Sequence, residues 1–196
     1  MSTLFIGISK GAESLASFLV SSGHKIAILN PSRSELQSLE AKVQELVENL
    51  CPMVYIDDLR HQKALYDESI RRISVIEDFN VQNLSNCSSI FISNPNNLPS
   101  SARLLPNSLP VFSIDSKVDD DKFALEVYEP LWKTKTVKMT SSRESSGPLV
   151  EAARSFLHSN GLNILTNHEA SQVERLLHEV QEDPRVRNLL NLAAII

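Results

Sequence analysis

The sequence predicts a doubly wound α/β domain with a mostly parallel sheet and a short helical appendage at its carboxyl end. Three observations lead there. β-favouring runs alternate with helical spacing across residues 3–166, and a glycine-punctuated turn joins the first strand to the first helix. The run at residues 109–114 is apolar throughout, as a strand covered on both faces must be. Composition permits such a core, since 196 residues with 42% hydrophobic and 22% charged content can bury one domain plus a modest extension.

Taken in order, Leu4, Phe5 and Ile6 form a short strand ended by Gly7, and from Ala12 the spacing of Leu15, Ala16, Phe18 and Leu19 is helical until Gly23. Residues 25–29 are the second strand. Ser32 followed by Glu35 is a capping-box signature that opens a helix to about Leu50, where Pro52 is expected to break it. Helical spacing returns at Leu59, Ala64, Leu65 and Ile70, within residues 57–72, before strands at 73–76 and 89–92. A polar helix or turn with Val81 and Leu84 separates those strands, and a short helix fits residues 96–105 ahead of the fifth strand at 109–114. Residues 123–128 and 136–139 alternate with period two, and Ser/Gly-rich residues 141–147 lead into a helix at 149–158 with Gly161 as its carboxyl cap. Residues 163–165 are a last strand. The boundary falls at 166, and residues 167–196 are a helical extension whose Val173, Leu176, Leu177 and Val180 share one face.

Several function classes are disfavoured. A net charge of −5, with 19 basic residues scattered among 24 acidic ones, leaves no electrostatic footprint for nucleic acid. No run is long and apolar enough to span a membrane, and the start Met1-Ser2-Thr3 leads straight into strand pattern, so neither a targeting peptide nor a membrane partner is expected. Ala193-Ala194-Ile195-Ile196 matches no terminal address or lipidation motif, which leaves cytoplasm, or nucleus, as the default location. Cys51 and Cys87 stand alone in different segments and read as buried reduced thiols. His24, His61, His158, His168 and His178 lack ligand spacing, and Asp119-Asp120-Asp121 reads as a solvated turn, so no metal site is expected. Trp132 reads as core cover.

Chemistry concentrates at Gly7-Ile8-Ser9-Lys10-Gly11-Ala12, between the first strand and its helix, where a Rossmann-type domain carries G-x-G-x-x-G/A. Gly7 and Ala12 fill the first and third fingerprint positions. The second is Ser9, whose side chain occupies space that a pyrophosphate approaches, while Gly11 lies one place off; the Ser9 hydroxyl and the Lys10 ammonium could contact phosphate. Two readings stand side by side, retained dinucleotide binding and a mere tight strand-to-helix turn. After the second strand, the acid that would bond the ribose of NAD(H) is replaced by Asn30, followed by Pro31, Ser32 and Arg33. Arg33 and Ser32 could meet a 2′-phosphate, which favours NADP(H) over NAD(H) if either binds; the alternative is a plain helix cap with a solvated arginine.

The stretch from 4 to 39, with I-G-x-x-x-x-A and L-x-x-S-G-H-K-I-A-I-L-N through Gly23-His24, resembles the amino-terminal NAD-binding domain of 3-hydroxyacyl-CoA dehydrogenases, and more loosely the 6-phosphogluconate and 3-hydroxyisobutyrate dehydrogenases. Val127-Tyr128-Glu129-Pro130, Thr136-Val137-Lys138-Met139 and the segment from Val150 to Gly161 resemble the H-F-F-N-P motif, the L-V-E-V strand and the closing helix and strand of the first family. The likeness spans residues 3–166 and is poor between 94 and 122, where the family carries a longer insertion. It implies a catalytic histidine at Glu126 and its orienting glutamate at Lys138, so both roles are lost and no catalytic residue is assigned. Glu126 and Lys138 could instead form a structural ion pair. Ser113 and Asp115-Ser116 lie near the family's substrate-contacting serine and asparagine without a settled register. The family adds a helical second domain, which the residues beyond 166 are too few to build.

The expectation is therefore a non-catalytic, pseudoenzyme-like Rossmann domain that serves as a nucleotide-binding or protein-interaction module. The alternative is an NADP(H)-dependent oxidoreductase acting on a small hydroxy or keto substrate. Association with a partner, or with itself, through the carboxyl-terminal helices is a third possibility.

Overall fold

The computed structural model describes residues 2–54, 59–77, 84, 86–93, 109–114, 123–141, 147–165, 169, 171, 172 and 175, and the side chains of 51–54 fall outside that description. It places β1 (Ser2–Ile6), α1 (Lys10–Ser21), β2 (Ile26–Leu29), α2 (Arg33–Val54), α3 (Leu59–Arg71) and β3 (Ile73–Ile76) in the first part of the chain. There follow β4 (Cys87–Ile92), β5 (Val111–Ile114), β6 (Phe123–Val127), α4 (Leu131–Thr134), β7 (Thr136–Ser141), α5 (Gly147–Ser159) and β8 (Asn163–Leu165). The eight strands form one sheet in the order β3-β2-β1-β4-β5-β6-β7-β8. The first six run parallel and β7 is antiparallel to β6. The 3-2-1-4-5-6 core of that order is the doubly wound Rossmann arrangement, with the order reversing between β1 and β4.

The central strands are apolar without interruption because both their faces are covered. Phe5, Ile26, Ile28, Phe91, Phe112 and Ile114 face a core built with α1, α2 and α5, whereas Leu4, Ile6, Ala27, Leu29, Ile90, Ile92 and Val111 face a second, smaller one. On the first face Phe5, Phe91, Phe112 and Phe123 pair in register across four adjacent strands. Their rings stack at 5.1 Å between Phe5 and Phe91 and 4.8 Å between Phe91 and Phe112, and tilt at 5.7 Å between Phe112 and Phe123. Edge strand β3 is the exception, with Ser74 and Val75 exposed.

Several boundaries differ from the sequence reading. Helix α1 begins at Lys10, before Ala12, because Ser9 is its N-cap and accepts from the Ala12 N–H; Gly11 therefore lies in the first turn. Helix α2 continues past Pro52 to Val54. Pro52 is third from the helix end, and its missing N–H deprives only the Glu48 carbonyl of its i→i−4 donor, a local loss that does not stop the two residues that follow. The short α4, which carries Trp132 against the core, has no counterpart in the sequence reading because four residues show no periodicity. The turn at Val81, the helix at 96–105, Asp115 to Asp121, His168, His178 and the stripe Val173, Leu176, Leu177 and Val180 lie outside the described residues. Cys87 is a buried free thiol, and burial raises its pKa.

By compactness the chain divides at Ile164: unit one is Met1–Ile164 and unit two is Leu165–Ile196. In the second unit, the described residues 169, 171, 172 and 175 are helical and exposed. Among the described residues no helix is long and apolar enough to cross a membrane.

Candidate functional site

Ligands of doubly wound sheets bind outside the carboxyl ends of the strands, where the strand order reverses. Here the loops after β1, β2 and β4 meet at that place, since β1 lies between β2 and β4 with Ile6 opposite both Leu29 and Ile92. Gly7, at φ 77°, makes the tight turn out of β1 in a conformation that favours glycine. Ser9 then adopts extended backbone and caps α1 through its Oγ, 3.4 Å from the Ala12 N–H, while its carbonyl accepts from Glu13 at 2.8 Å. The Ser9 N–H itself donates to Ser93 Oγ at 3.1 Å, and Ser93 follows β4 and is anchored by its own N–H on the Ile6 carbonyl.

The neighbouring loop is built around Asn30, which leaves β2 with φ 42°, an orientation that asparagine tolerates better than most side chains. Its N–H bonds the Ile76 carbonyl at 2.9 Å, and its side chain is exposed. The expected capping box forms: the Glu35 N–H donates to Ser32 Oγ at 3.2 Å and the Ser32 N–H to Glu35 Oε2 at 2.7 Å. Ser32 Oγ also bonds Ser34 Oγ at 3.0 Å. An ordinary capping box would use one carboxylate oxygen. Glu35 uses both, because Oε1 crosses to the β1 loop and accepts from the Ile8 N–H at 3.1 Å. Burial pushes the Glu35 carboxyl up, but bonds from the Ser32 backbone, the Ser32 side chain and the Ile8 N–H outweigh it and hold its pKa below the ordinary 4.5.

The candidate residues Gly7, Ser9, Lys10, Gly11 and Ala12 thus form one loop and helix start, and Asn30, Ser32 and Arg33 form the adjacent one. Ala12 is buried, while Lys10, Asn30, Ser32 and Arg33 are exposed. Sequence reasoning missed two parts of this site, Glu35 as a bridge between the loops and Ser93 as the acceptor for Ser9. The Ser32-x-x-Glu35 spacing announced the cap. The second contact of Glu35 depends on β1 and β2 being neighbours, which no local pattern specifies.

At the far side of the sheet, antiparallel β6 and β7 place Glu126 directly opposite Lys138, with Nζ 3.4 Å from Oε2. The ion pair anticipated from the sequence is present and open to water, Glu126 being 58% exposed. Ser113 is buried within β5, opposite Ile92 of β4. Next to β6, Glu129 accepts from Ser14 Oγ on α1 and from the Leu131 N–H at 3.4 Å, which ties α4 to α1.

No protein-family model matches the chain, and no curated protein matches it in sequence. Solved structures do match in fold. A 3-hydroxybutyryl-CoA dehydrogenase from Escherichia coli K12 superimposes with a TM-score of 0.64 at 12% identity, over 84% of this chain and 38% of that one. (S)-3-Hydroxybutyryl-CoA dehydrogenase from Ralstonia eutropha gives 0.64 at 12% identity, over 84% and 62%. A 3-hydroxyacyl-CoA dehydrogenase from Archaeoglobus fulgidus gives 0.59 at 14% identity, over 96% and 66%. The chain spans less than two thirds of each of these proteins. The resemblance read from the sequence is matched by this likeness of fold.

Proposed function

We propose that this chain is a non-catalytic Rossmann domain. The observation that carries the reading is the Glu126–Lys138 pair. In the family that the sequence resembles, these two strand positions hold a general base and the carboxylate that stabilises its protonated form. Here the same cross-strand register brings together a carboxylate and an ammonium at 3.4 Å, which satisfy each other. Such a couple has no imidazole to take up a hydroxyl proton as hydride leaves, and general acid/base assistance is worth on the order of 10² to 10⁴ in rate.

The purified chain is expected to show no oxidation of 3-hydroxybutyryl-CoA and no reduction of acetoacetyl-CoA, with NAD(H) or NADP(H) in excess, by absorbance at the nicotinamide band. Turnover above the buffer rate that is abolished by Glu126→Gln would refute the proposal. The rival reading, an NADP(H)-dependent oxidoreductase, draws on the exposed Lys10 and Arg33 and on Asn30 in place of the ribose acid. Against it, the Ser32 N–H that would meet a 2′-phosphate is already held by Glu35.

A further inference from the structure

We propose that Glu35 acts as a resident anion, its carboxylate joining the two loops at the sheet mouth and holding amides that a phosphate would need, so that the crevice stays closed to phosphorylated ligands. Anion sites in this fold are made from backbone N–H groups after the first strand and at helix starts. In this chain the Ile8 N–H donates to one Glu35 oxygen at 3.1 Å and the Ser32 N–H to the other at 2.7 Å. These donors come from different loops, 27 residues apart between Ile8 and Glu35, so a single carboxylate closes the gap between them. The Ser9 N–H is taken by Ser93 Oγ, a neutral partner. A phosphate that takes both of these amides must break two charge-assisted hydrogen bonds, and one that takes either must share the mouth with the Glu35 carboxylate. One further departure from a dinucleotide site acts in the same direction: Ser9 stands at the second glycine position, where its side chain occupies space that a pyrophosphate approaches. The residues present do not fit a dinucleotide.

This inference does not rest on the Glu126–Lys138 reading, since a Rossmann domain can lose its acid/base pair and keep its cofactor. The experiment is calorimetric titration of the full chain, wild type against Glu35→Ala and Glu35→Gln, with inorganic pyrophosphate, NADH and NADPH. Wild type is expected to give no saturable binding at millimolar ligand. Glu35→Ala should bind pyrophosphate and NADPH at least about tenfold more tightly than wild type, the like charge having been removed from the mouth. Glu35→Gln keeps a cap acceptor without the charge and should also gain; it decides the matter by the same comparison if Glu35→Ala does not fold. Amide resonances report the contact directly, and Ile8 and Ser32 should be among the largest backbone shifts between wild type and Glu35→Gln. Micromolar binding of NADH or NADPH to wild type that Glu35→Ala abolishes would make Glu35 a ribose ligand and overturn the proposal. A folded variant with no gain in anion affinity would overturn it as well.

Discussion

Replacing Phe91 with alanine tests whether the aromatic ladder is a principal stabiliser of the sheet. Phe91 is fully buried on β4 and stacks on both sides, at 5.1 Å against Phe5 and 4.8 Å against Phe112, with Phe156 of α5 tilted over it at 6.0 Å. Truncating a buried phenylalanine costs about 3–5 kcal/mol through lost transfer energy and the cavity left behind. Each stacked partner adds about 0.5–1.5 kcal/mol beyond area burial, and the flanking strands are hydrogen-bonded on either side and cannot close the void. The upper part of the range follows, about 4–5 kcal/mol, a large share of the roughly 5–15 kcal/mol by which a domain of this kind is stable. Urea unfolding followed by circular dichroism should show the midpoint fall with the slope preserved. Phe156→Ala removes a half-buried ring with tilted contacts only and should cost clearly less. A Phe91→Ala loss below about 2 kcal/mol, or one equal to that of Phe156→Ala, would refute the ladder as a principal stabiliser.

The remaining expectations concern charge. A double-mutant cycle on Glu126→Gln and Lys138→Met should give a coupling of no more than about 1 kcal/mol, as for other solvent-exposed pairs, and a coupling above about 2 kcal/mol would show a buried network instead. His24, half-buried, has its pKa lowered below 6.5 first by burial and then by the Arg72 guanidinium. The unfolded chain therefore binds the proton more readily than the folded one. The stability involved is fully present above pH 6.5 and is lost as pH falls toward the folded-state pKa. His24→Gln should flatten that segment of a stability-against-pH curve, and an unchanged slope would remove His24 as its source.

Much of the fold is legible in the sequence because the features that specify it are local. Apolar runs, Gly7, Gly23 and Gly161 at positive φ, and the Ser32–Glu35 box each announce an element boundary by their own chemistry. Alignment of Phe5, Phe91, Phe112 and Phe123 is not legible, because parallel register is fixed by packing across segments far apart in sequence. Pro52 misleads for a related reason: its effect depends on how near the helix end lies, and the proline does not itself fix that end. At the site, the fingerprint spacing is enough to find the loop residues. Glu35 is recognisable only in its local role, since one carboxylate oxygen serves its own helix and the other serves a loop that only the tertiary fold brings near. Asn30 stands out for what it lacks, a carboxylate. Its positive φ, a second reason for asparagine at that turn, has no separate signal.

That a chain can keep this fold at 12% identity to a dehydrogenase has a physical basis in where the two sets of residues lie. The side chains that fix the sheet are between layers, from Phe5 through Phe112 on one face and Leu4 through Val111 on the other. Ser9, Asn30, Glu35, Glu126 and Lys138 are all outside those cores. Changing them alters charge and hydrogen bonding at the mouth and edge of the sheet with little cost to packing, so stability does not oppose substitution there. The sheet still constrains the replacements. Positions 126 and 138 face each other whatever residues occupy them, and opposite charges directly across an antiparallel pair are favourable where like charges are not. The Ile8 and Ser32 N–H groups likewise need an acceptor, which Glu35 supplies, and leaving such groups unpaired is costly wherever water is partly excluded. In each place the backbone geometry of a binding fold creates a demand, and in this chain a glutamate meets it.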